Sequence, residues 1–223
     1  MPINSPYHDL SELPATLAVF PLAGALLLPR GQMPLNIFEP RYLALIDDAF
    51  RSGQRLIGMI QPDTHDEEDE RPPLFRVGAL GRITQLAETG DGRYLIELTG
   101  VCRFRTLEEI GVITPYRQFH VTYEPFRDDL VARKGEEAVD RASLLDVLAD
   151  FLKANHLNAD WDGIEKAPNE ALVNALAMMS PFGTAEKQAL LEAPELKTRA
   201  EVLIAVTEME LAKNNAPDDT PLQ

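Results

Sequence analysis

Cysteine is almost missing: Cys102 stands alone among 223 residues. An intrachain disulfide is excluded, as is a thiolate-rich zinc or iron–sulfur centre, and a reducing cytoplasm is the expected setting. Positive charge is scarce. Lys and Arg total 21 against 36 Asp and Glu, a net charge of −15, a sign that repels phosphate backbones and anionic lipid and so disfavours nucleic acid as a partner. Long apolar runs are absent. The longest, Leu17 to Pro29, is broken by Pro21 and Gly24 and falls short of the ~20 residues a spanning helix needs, so it reads as buried strands. The opening MPINSPYHDLSELP lacks the basic and apolar regions of a secretory signal. What remains, 45% hydrophobic and 26% charged, is the composition of an ordinary globular protein, and the length allows one large domain or two small ones. No membrane partner is expected.

Catalytic signatures are missing too. A phosphate-binding loop needs glycine amides and a lysine followed by Ser or Thr. Lys197-Thr198 is the one such pair, and Leu196 stands where the second glycine belongs. A nucleophile elbow needs glycine two residues before the serine, whereas Ile3, Asp9, Phe50, Arg141 and Met178 precede the five serines at that distance. No enzyme activity and no cofactor are expected; a cryptic hydrolase would need a serine–lysine or carboxylate pair assembled only in space. His65, Asp66 and Glu67 to Glu70 have the residue types of a cation site but neither HExxH spacing nor an EF-hand glycine, so they read as a solvated loop rather than a metal site. His8, His120 and His156 are assigned no role. Cys102 alternates with Phe104 and reads as a buried, inert thiol. Trp161 lies in a polar connection and reads as a lid on the helices rather than a partner anchor.

What is present divides in two. The first half has short β-branched and aromatic runs between glycines and prolines, the mark of strands joined by turns. Tyr94, Ile96 and Leu98 alternate with polar neighbours, and Gly90-Asp91-Gly92 supplies positive-φ positions for a hairpin across Val77 to Thr99. A second half-buried pair follows: Cys102, Phe104 and Thr106 on one face with Arg103 and Arg105 on the other, then Phe119, Val121 and Tyr123. So many short strands hide their edges most cheaply by closing into a small barrel. One helix interrupts them, from Pro40 to about 52, with Leu43, Ile46 and Phe50 inward and Gly53 as its stop. Helical spacing then takes over: Val139, Ala142, Leu145, Leu148 and Leu152 on one helix of about five turns, Leu172, Leu176 and Met179 on a second. Thr184 caps a third, and a Thr198–Glu201 capping box opens a fourth. The expected organisation is an α+β chain: a barrel with one helix over 1–126, a helical bundle over 127–215 and a disordered tail over 216–223. Asp63 to Pro73 carries six carboxylates and no large apolar side chain, so it is expected to be a mobile loop.

Residues 1–126 contain 11 Arg, no Lys and 17 acidic residues. Arg82, Arg93, Arg103, Arg105 and Arg117 read as solvated partners of nearby acids, with a guanidinium fork for carboxylates or phosphates as the alternative.

The stretch AVFPLAGALLLPRGQMPLNIFEPRYLALI, residues 18–46, resembles the opening of the Lon N-terminal domain family, the substrate-recognition module of ATP-dependent protease La. Phe20-Pro21-Leu22, Pro29, Pro34-Leu35 and Phe38-Glu39-Pro40-Arg41-Tyr42 stand in the family's order. Residues 76–110 resemble its VG-x-x-x-x-I hairpin and following strand, and Lys187 to Leu211 its closing helices. The resemblance implies a PUA-like β pseudo-barrel followed by a helical bundle, without the ATPase and serine–lysine peptidase domains of full-length Lon. It implies a non-catalytic module that binds segments of unfolded or partner proteins, with an ATP-dependent protease acting in trans as a further partner. On that reading the peptide-binding candidates are Phe38, Glu39, Arg41 and Tyr42. Glu39 and Arg41 also fix the strand-to-helix geometry, because the carboxylate lies beside a helix N-terminus and the arginine can pair with it. The alternative is a small-molecule or RNA binder in which Arg82, Arg103 or Arg105 engages an anion, distinguished by steep salt dependence.

Overall fold

The computed structural model describes residues 4–64, 71–156, 158 and 160–215, without the side chains of the last two. The His65–Glu70 cluster and the 216–223 tail, read above as solvated loop and disordered end, lie outside the described residues.

Six strands form one sheet: β1 (Thr16–Pro21), β2 (Gln32–Ile37), β3 (Leu56–Ile60), β4 (Val77–Glu88), β5 (Tyr94–Ile110) and β6 (Gln118–Thr122). Their order is β2-β5-β4-β3-β1-β6, and β6 returns to pair with β5, which closes the sheet. Closure removes most of the free edge. Only β1 and β3 pair in parallel, and their crossover carries β2 and α1 (Pro40–Arg51). The hairpin expected across Val77 to Thr99 is present: Glu88 faces Tyr94 and Arg82 faces Thr99, and Gly90 and Gly92 take φ of 78° and 83° in the turn. The strand expected separately from Cys102 onward is instead a continuation of β5. A bulge near Gly81 and the absent side chain of Gly100, where a Cβ would overlap the Leu28 carbonyl, carry one long strand past the buried loop. Its first part pairs with β2 and β4, its last with β6.

The barrel is filled by Leu17, Val19, Ile57, Leu80, Leu98 and Phe104, all essentially inaccessible. Phe104 lies over two glycines. A Cβ at Gly78 would stand 2.6 Å from its ring and 2.5 Å from the Met59 carbonyl. Leu26, Leu27 and Leu28 are equally buried but belong to a loop, not to the strand expected there.

The helical part comprises α2 (Arg141–Ala154), α3 (Trp161–Lys166), α4 (Asn169–Met179), α5 (Thr184–Glu192) and α6 (Leu196–Asn215). Pro181 and Pro194 separate the last three as expected, but the buried stripes differ from the sequence reading. In α1 the inner face is Tyr42, Leu45, Ile46 and Ala49, and Phe50 is exposed. In α2 it is Leu144, Val147 and Leu148, on a helix of 14 residues rather than five turns. In α4, Val173, Asn174 and Ala177 are buried while Met179 is 83% exposed. Thr184 is the first residue of α5, with Gly183 at the cap and no side-chain cap bond. Likewise α6 begins at Leu196, so Thr198 lies inside its first turn instead of opening it.

Side chains stitch the helices to the barrel. Asn174 donates to the Pro29 carbonyl at 3.1 Å, Lys187 Nζ to that of Gly24 at 2.8 Å and Gln188 to that of Val77 at 3.1 Å. Arg103 also belongs here. It is 3% exposed, a correction to its expected solvated place. Its guanidinium takes Asp129 in a two-pronged pair at 2.9 and 2.8 Å and donates to the Leu191 and Ala193 carbonyls at 2.9 and 2.6 Å. At Arg103 the face of β5 expected to meet water meets the α5–α6 connection instead.

Candidate functional site

The junction of β2 and α1 carries four of the residues singled out from sequence. Met33, Leu35 and Ile37 alternate inward with Ile37 buried, so Phe38 is thrown outward, 59% exposed, with the Arg93 guanidinium 5.9 Å from its ring centre. Glu39 caps α1 in the extended conformation that Pro40 imposes, but its side chain makes no cap bond. Instead it accepts from Arg41 Nε at 2.9 Å, with Nη2 at 2.8 Å. Arg41 lies 4.6 Å above the Tyr42 ring, and Tyr42, buried, meets Phe20 edge-on at 4.2 Å. Burial pushes the Tyr42 phenol up. The expected Glu39–Arg41 pair is therefore present; Phe38 is an exposed aromatic and Tyr42 a core residue.

Arg41 and Tyr42 line a cleft of about 320 Å³ with Arg71, Pro72 and, from the β5–β6 connection, 109–112 and 114–117. Phe38, Glu39 and Ile113 lie outside that lining. Glu109 gathers two guanidinia: Arg117 at 2.9 and 2.6 Å and Arg71 at 2.9 Å. These bonds, Arg117's first, hold its carboxyl below the ordinary range against the opposing effect of burial. Arg117 Nη1 also donates to the Pro72 carbonyl at 2.7 Å. Below it, the Tyr116 hydroxyl donates to Asp48 on α1 at 2.6 Å. That bond is the largest cause lowering the Asp48 carboxyl. Burial first, and then the same bond, push the Tyr116 phenol up to about 12. The β5–β6 loop is thus tied to α1, while its crest stays in water, with Val112 part-exposed and Ile113 wholly exposed. Sequence reasoning missed this second wall; Arg117 was noted only as one arginine among several, and Ile113 carries no periodic signal.

Among the described lining residues of the cleft there is no histidine, lysine or cysteine. Thr114 Oγ1 donates to the Tyr116 carbonyl at 3.0 Å.

The arginines of the anion reading have separate surroundings. Arg82 is buried rather than solvated as expected; it donates to the Ser5 carbonyl at 2.7 Å and lies 4.4 Å above Tyr7. Arg103 holds Asp129, and Arg105 is exposed. Cys102 is 1% exposed, and burial raises its thiol far above the ordinary value, in keeping with an inert role. Trp161 starts the short α3 and is 41% exposed, so it does not plug the bundle as expected. His120 Nδ1 lies 3.2 Å from Thr16 Oγ1. Among the described residues no group of three or more His, Cys, Asp and Glu is placed to hold a metal ion, and no helix is long and apolar enough to cross a membrane.

The sequence profile of the ATP-dependent protease La (LON) substrate-binding domain matches residues 16–207. The chain belongs to this family. Its α+β architecture agrees with solved Lon N-terminal domains. One is a Lon N-terminal domain protein from Xanthomonas campestris, at TM-score 0.61 and 22% identity, covering 85% of this chain and 97% of that one. Another is the N-terminal domain of the Mycobacterium avium complex Lon protease, at TM-score 0.60 and 20% identity, covering 86% and 98%. Among full-length relatives, Lon protease of Anaeromyxobacter dehalogenans is 27% identical over 209 residues, 86% of this chain and 23% of that protein. Lon protease 2 of Sorangium cellulosum is 27% identical over 213 residues, 92% and 26%. The chain therefore spans about a quarter of the length of the Lon proteases it matches.

Proposed function

We propose that the chain is a non-catalytic module that holds apolar segments of unfolded or partner proteins where β2 runs into α1 and the β5–β6 loop rises beside it. The family match over residues 16–207 carries this reading. Exposure supports it: Phe38, next to the Glu39–Arg41 pair in the chain, and Ile113 on the β5–β6 loop leave large apolar side chains in water, and covering such surface returns about 25 cal/mol per Å². Client segments gain apolar contact at Phe38 and Ile113 and hydrogen bonds from the arginine-lined wall. Binding draws on the barrel over 1–126, with the helices of 127–215 as its support. Cutting is assigned to another chain, an ATP-dependent protease acting in trans in the cytoplasm.

The test is binding of an unfolded, fluorescently labelled client and of a peptide array to the purified chain. Apolar segments are expected to bind in preference to polar ones, with affinity nearly independent of salt. Phe38→Ser combined with Ile113→Ser, both at exposed positions, should weaken binding about tenfold or more while leaving the melting temperature unchanged. Indifference to apolar content would overturn the proposal. So would steep loss of affinity with salt, which is the behaviour of an anion or RNA site, or client cleavage by the purified chain that a point change in it abolishes.

A further inference from the structure

Three guanidinia, from Arg30, Arg103 and Arg199, converge on a cavity of about 260 Å³ between the segment after β6 and the start of α6. Two are neutralised: Arg103 by Asp129, and Arg30 by Glu170, with Arg30 Nη1 also donating to the Asp129 carbonyl at 2.6 Å. Arg199 differs. It is 4% exposed, its Nε donates to the Leu190 carbonyl at 3.0 Å and its Nη1 reaches Asn174 Oδ1 at 3.4 Å. Its Nη2 is buried and has no hydrogen-bond partner among the described residues. The charges that act on it, Arg103, Asp129, Glu170 and Arg30, all line this cavity.

A buried donor without an acceptor costs about 1–3 kcal/mol, more when it is charged. Arg103, Arg199 and Asp129 are buried and Glu170 nearly so, while Arg30 reaches in from the exposed rim. The other acids on the wall, Asp128, Glu137 and Glu195, are exposed, as are Lys134 and Lys197 at the mouth. The helix start adds a second feature. In α6, 20 residues long, the first ladder bond runs from Arg199 N–H to the Glu195 carbonyl, so the amides of Leu196, Lys197 and Thr198 precede the ladder and present the positive end of the helix.

We propose that this cavity binds one carboxylate group, seated between Arg199 Nη2 and the first-turn amides of α6. A carboxylate matches the planar guanidinium, and burying its single charge costs less than burying doubly charged sulfate or phosphate. Nη2 is closed to solvent, so a carboxylate reaches it only when a side chain of the cavity wall moves aside. The carboxylate comes from a small organic acid or from the C-terminus of a bound protein.

The experiment titrates the full chain with sodium acetate, and separately with sodium sulfate, at constant ionic strength in chloride, while amide NMR shifts are followed. Two short peptides identical except for a free or an amidated C-terminus are titrated in the same way. Acetate is expected to shift the Leu196, Lys197 and Thr198 amides saturably. Arg199→Gln should abolish saturation. Lys197→Glu, an exposed change that leaves the core intact if Arg199→Gln does not fold, should weaken it about tenfold. Saturation by the free but not the amidated peptide identifies a chain terminus as the source; saturation by acetate alone identifies a small acid, and either supports the site. The proposal is overturned if acetate causes no saturable shift there, if sulfate saturates at lower concentration, or if Lys197→Glu and Arg199→Gln both bind as the unaltered chain does.

Discussion

Arg103 and Arg41 each hold a carboxylate at 2.8 Å, and burial separates what the two pairs contribute. The side chains of Arg103 and Asp129 are 4% and 8% exposed, those of Arg41 and Glu39 41% and 42%. Removing the Arg103 side chain leaves the buried Asp129 carboxylate with the backbone amide of residue 103 but without its guanidinium. Arg103→Ala is therefore expected to cost about 3–5 kcal/mol, and Arg41→Ala less than about 1 kcal/mol; urea unfolding of the two variants checks the contrast. The Tyr116–Asp48 bond acts at both ends of the pH scale. Asp48 has its folded value lowered from 3.8, so its contribution is present above that value and lost as pH falls through the folded one. Tyr116 has its folded value raised from 10.0 to about 12, so its contribution is complete below pH 10 and disappears as pH rises toward 12. In Tyr116→Phe, Asp48 should titrate closer to 3.8 by carboxyl-carbon NMR. The same variant should lose less stability between pH 10 and pH 12 than the unaltered chain in denaturant melts.

Among the elements, strands were more legible than helices, because alternation with period two has one answer for which face is buried. β2 buries Ile37 and half-buries Met33 and Leu35 as its pattern requires, and the β4–β5 turn lies at its glycines. Helices that are apolar over a wide arc offer several stripes. In α2 both Leu144-Val147-Leu148 and Leu145-Leu148-Leu152 are acceptable spacings, and the position of α6 decided for the first. In α4 the smaller Val173 and Ala177 face inward, where a close approach to the barrel favours them: Met178 packs so near Gly31 that a Cβ there would overlap its sulfur. Contacts of this kind have no sequence period, which is also why the Glu109–Arg117 wall of the cleft went unread while its Glu39–Arg41 wall did not. Gly78 offers a measurable case. Replacing it with alanine drives a methyl against the Met59 carbonyl and Phe104, which cannot retreat from the barrel centre. Gly78→Ala should lose at least about 1–3 kcal/mol, a drop of roughly 2–12 °C in melting temperature by calorimetry.

At the scale of the molecule, the helices complete the barrel's hydrogen bonding. The loop carrying Leu26, Leu27 and Leu28 is buried without being a strand, so its carbonyls have no ladder to enter. Helical side chains take that place: Asn174 serves Pro29 and Lys187 serves Gly24, the latter with its ammonium value lowered by burial. In return, β5 sends Arg103 to the Leu191 and Ala193 carbonyls between α5 and α6. Neither part satisfies its buried polar groups alone, and each unmet group costs about 1–3 kcal/mol, so several together exceed what a small domain can spare. The full chain is accordingly expected to unfold in one transition, with tryptophan fluorescence from Trp161 in the helices coinciding with near-ultraviolet circular dichroism from the barrel tyrosines. A chain ended after Val131 keeps every strand but leaves Arg103 facing Asp129 without its carbonyl acceptors and uncovers the barrel face that Asn174, Lys187 and Gln188 meet. It should melt without a cooperative transition and bind a hydrophobic dye; a sharp melt for that fragment, with the dye excluded, would show that the barrel stands without its helices.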